Sequence, residues 1–238
     1  MNLLLCMAGL YQRFRDAGYT TPKFLLPWKG TTVLDHVLNI ARESGARPYL
    51  VANRRDEAHA EVLRAILERA GGTGTDLVFV GDTAGQAETA RLGIEVFGLA
   101  ETNVPLLIHN IDTLLLGRDW GRIRTYLARA DGWIDVFDAD SPQYSYVETD
   151  AEGKVLRIRE KEVISRLATT GLYGFASTRA YLDALARSNP SREELYVSDV
   201  YVRMLADGAT ILAPPPGPAE RTIVLGTPDE YEAARAAS

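Results

Sequence analysis

Cysteine is almost absent: Cys6 is the only one in 238 residues, which excludes an intramolecular disulfide framework and a cysteine-rich zinc site. In its apolar strand pattern Cys6 is expected to be a core residue. Histidine is scarce as well, and His36, His59 and His109 lack ligand-like spacing, so they read as structural or exposed. No apolar run approaches the roughly 18 residues of a membrane span. Met1-Asn2 lacks a basic opening, and the first apolar run is soon broken by charge, so no secretory signal is read. An excess of basic charge is also missing. With 26 Lys+Arg against 32 Asp+Glu, the formal net charge is −6, which argues against nucleic acid or an anionic membrane as the main partner. These absences point to a cytoplasmic globular protein with neither of those partners.

What is present is an alternation of strand and helix. Strands are expected over residues 3–7, 48–52, 77–80, 104–109 and 133–137. Apolar stripes at helical spacing lie between them: Val33, Val37, Ile40 and Ala41; Val62, Leu63, Ile66 and Leu67; Ala87, Ala90, Ile94 and Phe97; Trp120, Ile123 and Leu127. Such alternation implies an α/β fold with a mainly parallel sheet covered by helices on both faces. Ligands bind such sheets beyond the carboxyl ends of the strands. The loop after the first strand and Asn110-Ile111-Asp112 after the fourth both fall there.

The rhythm changes near residue 138. Strands expected over 144–149 and 155–159 flank Asp150-Ala151-Glu152-Gly153, a hairpin turn. A strand over 171–176, helices over 179–187 and 196–206, an extended segment over 210–213 and a strand over 222–225 follow. Pro214-Pro215-Pro216-Gly217-Pro218 is a stiff connector too short to separate domains. The expected organisation is a single domain over 1–238, with a core of about 1–137 and a small inserted β-rich lobe in about 138–238.

The loop "MAGLYQRFRDAGYTTPKFLLPWKG" (Met7 to Gly30) joins Gly9 to Arg13, Arg15 and Pro22-Lys23. Glycine lets backbone N–H groups approach phosphate oxygens, an arginine fork grips them in pairs, and lysine adds a point charge. Read alone, it could equally be a solvated strand-to-helix connection. The full pattern resembles the sugar-1-phosphate nucleotidyltransferases, whose opening reads Gly-x-Gly-x-Arg with Pro-Lys about ten residues on. "AGQAETA", "HNIDT", "EKEVISRLATTGLYGF" and "LGTPDEYEAA" are similar, in order, to that family's base-contacting, metal-binding, sugar-site and closing segments.

The resemblance implies a Rossmann-like fold and transfer from an NTP to a phosphorylated small molecule, most simply a sugar 1-phosphate, with Mg2+. Ala8, Gly9 and Leu10 would surround the nucleotide and Gln86 would touch its base. Arg13 would hold the β- and γ-phosphates, Lys23 the α-phosphate and Asp112 the metal. Glu160 would accept from substrate hydroxyls and Lys161 would contact the acceptor phosphate, with Thr170 and Gly171 lining the pocket. Homo-oligomers are common among such relatives. Residue by residue the alternatives are plain: Asp112 as a helix N-cap, Glu160 and Lys161 as exposed strand charges, Gln86 as a surface residue. Trp28, Trp120 and Trp133 are expected to be packing anchors.

Two positions depart from the pattern. Tyr11 replaces the second glycine, so a loop of different geometry is expected, with the ring filling space near the nucleotide. Val224 stands where many relatives carry a second metal-binding aspartate, and valine offers Mg2+ no oxygen. Asp229 is expected to cap the last helix. A non-catalytic nucleotide- or sugar-binding module, a glycosyltransferase, or a cytidylyltransferase acting on a non-sugar phosphate or phosphonate are the rival readings.

Overall fold

In β1 (Asn2–Met7) alternate side chains enter opposite cores: Leu3, Leu5 and Met7 join one apolar cluster and Leu4 the other. This period of two places β1 inside a sheet covered on both faces. The structure, a computed structural model, describes residues 1–188 and 194–237.

After β1 the chain forms α1 (Gln12–Asp16), a short ribbon of β2 (Pro27–Trp28) and β3 (Thr31–Thr32), and helices α2 (Val33–Val37) and α3 (Asn39–Ser44). It then enters β4 (Arg47–Asn53), crosses through α4 (Ala60–Arg69) to β5 (Leu77–Val80), and returns along α5 (Gln86–Val96) to β6 (Leu106–His109). The strands β1, β4, β5 and β6 pair in parallel. β1 lies between β4 and β6, so the chain leaves it on one side and comes back on the other. That reversal is the switch point where open α/β sheets leave a crevice for ligands. The expected shared edge is there, with Leu5 of β1 beside His109 of β6.

The rest of the chain comprises β7 (Thr113–Leu116), α6 (Trp120–Leu127), β8 (Gly132–Asp138), β9 (Ser145–Thr149), β10 (Val155–Glu160) and β11 (Leu167–Phe175). Helices α7 (Thr178–Ala186) and α8 (Val197–Ala206), strands β12 (Ile211–Leu212) and β13 (Arg221–Val224), and α9 (Pro228–Ala236) complete it. β11 runs antiparallel to β6 and carries the sheet on to β9, β10 and β8. The parallel pattern read from the sequence therefore holds on the β1 side, and the β-rich part is built onto the same sheet. The predicted hairpin is formed by β9 and β10, its turn held where Asp150 Oδ1 accepts from the Lys154 amide at 2.8 Å. Trp28, Trp120 and Trp133 are buried, as expected of packing anchors.

Candidate active site

Two adjoining cavities open at the carboxyl ends of β1 and β6. The larger, about 720 Å³, is bordered by the loop after β1 and by residues 82–86. The smaller, about 340 Å³, is bordered by β10, β11 and the chain after β13. Gln86, Asn110, Asp112, Glu194 and Tyr196 line both, so the two spaces share a wall.

Ala8, Gly9, Leu10 and Lys23 border the larger cavity. Lys23 opens a short 3-10 turn, Lys23–Leu25, directly after Pro22. Its ammonium forms an ion pair with Asp112, and its side chain is only 13% exposed. Arg13, on α1, borders the smaller cavity together with Asp112, and not the larger one. Asp112 thus borders one cavity with Lys23 and the adjoining one with Arg13.

Tyr11 corrects an expectation. Its backbone is left-handed, with φ 38 and ψ 39, the conformation a glycine would take without strain, so the loop has not moved away from it. A non-glycine residue there costs about 1–2 kcal/mol. Contacts of the ring offset that: Tyr11 Oη donates to Asp56 Oδ1 at 2.5 Å, Phe24 meets the ring edge-on at 6.3 Å, and the Arg15 guanidinium lies 4.9 Å from its centre. Burial and the bond to Asp56 push the phenol pKa up. The ring borders the larger cavity, as read from the sequence.

Asp112 follows β6 and precedes a strand, so it caps no helix. Its amide and the Thr113 hydroxyl both donate to Asn110 Oδ1 at 3.2 Å. Asn110 in turn rests on Gly171, whose φ is +85; a Cβ added there would sit 2.0 Å from Asn110 Nδ2. Glycine is required by both conformation and space. Thr170 lines the smaller cavity, but its hydroxyl donates to Asp135 Oδ2 at 2.8 Å. Asp135 is also gripped by Arg118, and the pair is nearly sealed from solvent, with side chains 4% and 1% exposed. Burial pushes the Asp135 pKa up, opposed by the guanidinium and the Thr170 hydroxyl. Arg118 additionally donates to Thr222 Oγ1 at 2.7 Å, tying β13 to this floor.

On the other wall Glu160 ends β10. Its Oε2 accepts from the hydroxyls of Ser145 and of Ser198, the latter at 2.8 Å. Lys161 follows with φ 55, and its Nζ donates to Tyr196 Oη at 2.7 Å, which pushes its pKa up. Gln86 begins α5, and its Nε2 is buried without a hydrogen-bond partner. It is therefore a cavity residue. Val224 borders the smaller cavity and pairs with Thr113, and Leu225 N donates to Asp112 O at 2.6 Å. Among the described residues no three His, Cys, Asp or Glu side chains gather as a metal site. A hard carboxylate oxygen from Asp112 still suits Mg2+, which commonly takes one or two protein carboxylates and completes its shell with phosphates and water.

Several features were not read from the sequence. Tyr196, Tyr144 and Glu230 all border the smaller cavity; they gave no signal because separate elements carry them in. Thr227, and not Asp229, caps α9, accepting from the Glu230 amide at 3.2 Å, while Asp229 is exposed in the first turn. Cys6 is half-buried and borders the larger cavity, although burial pushes its thiol pKa up and leaves it no thiolate character.

No protein-family model matches the chain, and no curated protein matches it significantly. Solved structures do. A nucleoside-diphosphate-sugar pyrophosphorylase from Vibrio cholerae RC9 is 28% identical, with a TM-score of 0.82 over 97% of this chain and 98% of its own. A UDP-glucose pyrophosphorylase complexed with UDP-glucose is 18% identical, with a TM-score of 0.81 over 99% and 97%. A Bacillus anthracis protein described as a glucose-1-phosphate thymidylyltransferase is 17% identical, with a TM-score of 0.79 over 99% and 94%. The last two share the fold; the first adds appreciable identity along nearly the whole chain. Motif order, sheet topology and these structures all support the resemblance to the sugar-1-phosphate nucleotidyltransferases.

Proposed function

We propose that the two cavities carry nucleotidyl transfer from an NTP to a phosphorylated small molecule, with a sugar 1-phosphate as the acceptor class the family suggests. The observation that carries this reading is the Lys23–Asp112 ion pair on the wall shared by the two spaces. A cation and a carboxylate that could take a metal lie where the reading has an NTP in one cavity meet an acceptor in the other.

The acceptor phosphate is already an anionic nucleophile at neutral pH, so transfer needs no strong base. One of its oxygens bonds to the α-phosphorus, the bond from that phosphorus to the bridging oxygen breaks, and the electron pair leaves with pyrophosphate. The barrier comes from joining two anions and from charge growing on the leaving group. Fixed cations answer both. Lys23 exchanges its Asp112 partner for an α-phosphate oxygen, and Arg13 reaches the β- and γ-phosphates from the acceptor side. Asp112, with NTP phosphates and water, would hold Mg2+, which supplies charge neutralisation at the transferring phosphoryl group.

The open backbone of Ala8, Gly9 and Leu10 receives the nucleotide, and the unpartnered Gln86 amide donates to its base. Glu160 accepts from acceptor hydroxyls and Lys161 meets the acceptor phosphate beside Gly171. Thr170 acts through its position, because its hydroxyl is committed to Asp135.

The test is a matrix of the four NTPs against phosphorylated acceptors, with and without Mg2+, scored by pyrophosphate release. Metal-dependent release with one preferred base is expected. Valine at position 224 favours one rival, a non-catalytic module. NTP binding without pyrophosphate release across the whole matrix would establish that rival.

A further inference from the structure

Arg13 and Lys161 are the lysine and arginine side chains that border the smaller cavity among the described residues. Lys161 is ill-suited to hold itself still. It is exposed, it follows the end of β10, and its backbone is left-handed at φ 55. A lysine stem has several rotatable bonds, so an unanchored ammonium there would sample many positions before meeting an anion. Its neighbour Glu160 is engaged elsewhere, with Oε2 accepting from the Ser145 and Ser198 hydroxyls.

A tyrosine supplies the anchor. Lys161 Nζ donates to Tyr196 Oη at 2.7 Å and lies 4.8 Å from the ring centre. The same hydroxyl donates its own proton to Glu194. A phenol that donates to a carboxylate is polarised into a better acceptor. The ammonium gives it one N–H and keeps two. Because the hydroxyl is neutral, it pins the lysine without cancelling its charge. At Lys23 the partner is instead the Asp112 carboxylate, which an incoming phosphate has to displace.

Tyr196 is itself fixed. Leu195 N donates to Ala84 O at 2.6 Å, and Ala87 N donates to Leu195 O at 3.2 Å. The strand-like approach is so close that a Cβ on Gly85 would lie 2.5 Å from Leu195 O. Tyr196 N donates to Asp199 Oδ2 at 3.1 Å, and two residues on Ser198 donates to Glu160 Oε2 at 2.8 Å. Residues 194–198 therefore form a strap laced to the turn that carries Gln86 on one side and to the end of β10 on the other. Glu194 and Tyr196 border both cavities along it.

We infer that Tyr196 is a positioning residue, which holds the Lys161 ammonium charged, ordered and with free N–H groups at the place where an occupant of the smaller cavity presents its phosphate. This rests on the transferase reading for naming that phosphate as the acceptor's, but the positioning itself is measurable without any substrate.

The chain has four lysines, Lys23, Lys29, Lys154 and Lys161, so the full-length protein labelled with carbon-13 at lysine Cε gives four NMR signals, with Lys161→Arg assigning the one of interest. Relaxation of the wild-type Lys161 signal should show an ordered side chain, unlike the exposed Lys29 and Lys154. Tyr196→Phe keeps the ring and removes the hydroxyl. It should make Lys161 as mobile as those two while leaving the urea midpoint unchanged. Inorganic phosphate, the group common to all the acceptors considered, is then titrated while the Lys161 signal is followed, with Lys23 reporting separately on the larger cavity. The phosphate midpoint at Lys161 should rise about 3- to 10-fold in Tyr196→Phe, the cost of immobilising one long side chain on binding. A Lys161 already mobile in the wild type, or an order or phosphate midpoint unchanged by Tyr196→Phe, would overturn the inference. Pyrophosphate release by the wild type reports on the transferase reading alone. Both expected changes at Lys161 without release support this inference and refute that reading, whereas release with Lys161 indifferent to Tyr196→Phe does the opposite.

Discussion

Gly171→Ala is expected to cost about 3–4 kcal/mol, well above the effect of one added methyl group. Two contributions make up that figure. The backbone at φ +85 disfavours any L side chain by about 1–2 kcal/mol. The new Cβ would also lie 2.0 Å from Asn110 Nδ2 and 2.6 Å from its Cγ, so Asn110 must leave its place. It then gives up the bonds its Oδ1 accepts from the Asp112 amide and the Thr113 hydroxyl, each worth about 1 kcal/mol. Asn110→Ala alone loses those same two bonds and removes the obstruction. In that background Gly171→Ala should cost only the backbone contribution. Urea unfolding of the wild type, both single variants and the double variant forms a cycle whose coupling should be about 2 kcal/mol. Additive effects, with Gly171→Ala equally costly in both backgrounds, would refute the claim that Asn110 is seated on Gly171.

Three further outcomes follow from buried contacts. Arg118→Ala strands the buried Asp135 carboxylate and should destabilise the protein by about 3–5 kcal/mol in chemical denaturation. Tyr11→Phe keeps the ring and its left-handed backbone but removes the bond to Asp56, which is 1% exposed; a loss of about 1.5–3 kcal/mol is expected, and a neutral effect would show that the bond does not hold the loop. His109 is fully buried, and burial lowers its pKa from 6.5 to about 4. The unfolded chain therefore gains a proton that the native state refuses as pH falls through that window. Stability from this group is intact above about pH 7 and drops by about 2 kcal/mol by about pH 5, a dependence that His109→Gln should flatten in urea melts.

Much of this architecture could be read in advance because it is local. The period of two in residues 3–7 and the stripe Ala87, Ala90 and Ile94 mark β1 and α5, and both are buried in the expected sense. The β2–β3 ribbon escaped detection because two-residue strands have no period to show. β7 escaped because its partner, β13, lies far along the chain. Tyr11 is the instructive case. Sequence alone flags the strain of tyrosine at a glycine position, but the Asp56 that holds it is 45 residues away. Arg13 and Lys23, which border the two cavities, were legible through their spacing in the opening loop. Tyr144, Tyr196 and Glu230 were not, since each is ordinary in its own segment and gains meaning only where three elements meet around one cavity.

The central claim is that the Lys23 ammonium and the Asp112 carboxylate serve phosphoryl transfer where the two cavities join. The most direct test is the turnover number for pyrophosphate release by Lys23→Ala, measured alongside NTP affinity and the unfolding midpoint. A fall of about 100- to 1000-fold in turnover is expected, with the fold intact and the NTP still bound. Turnover within a few-fold of wild type would contradict the account.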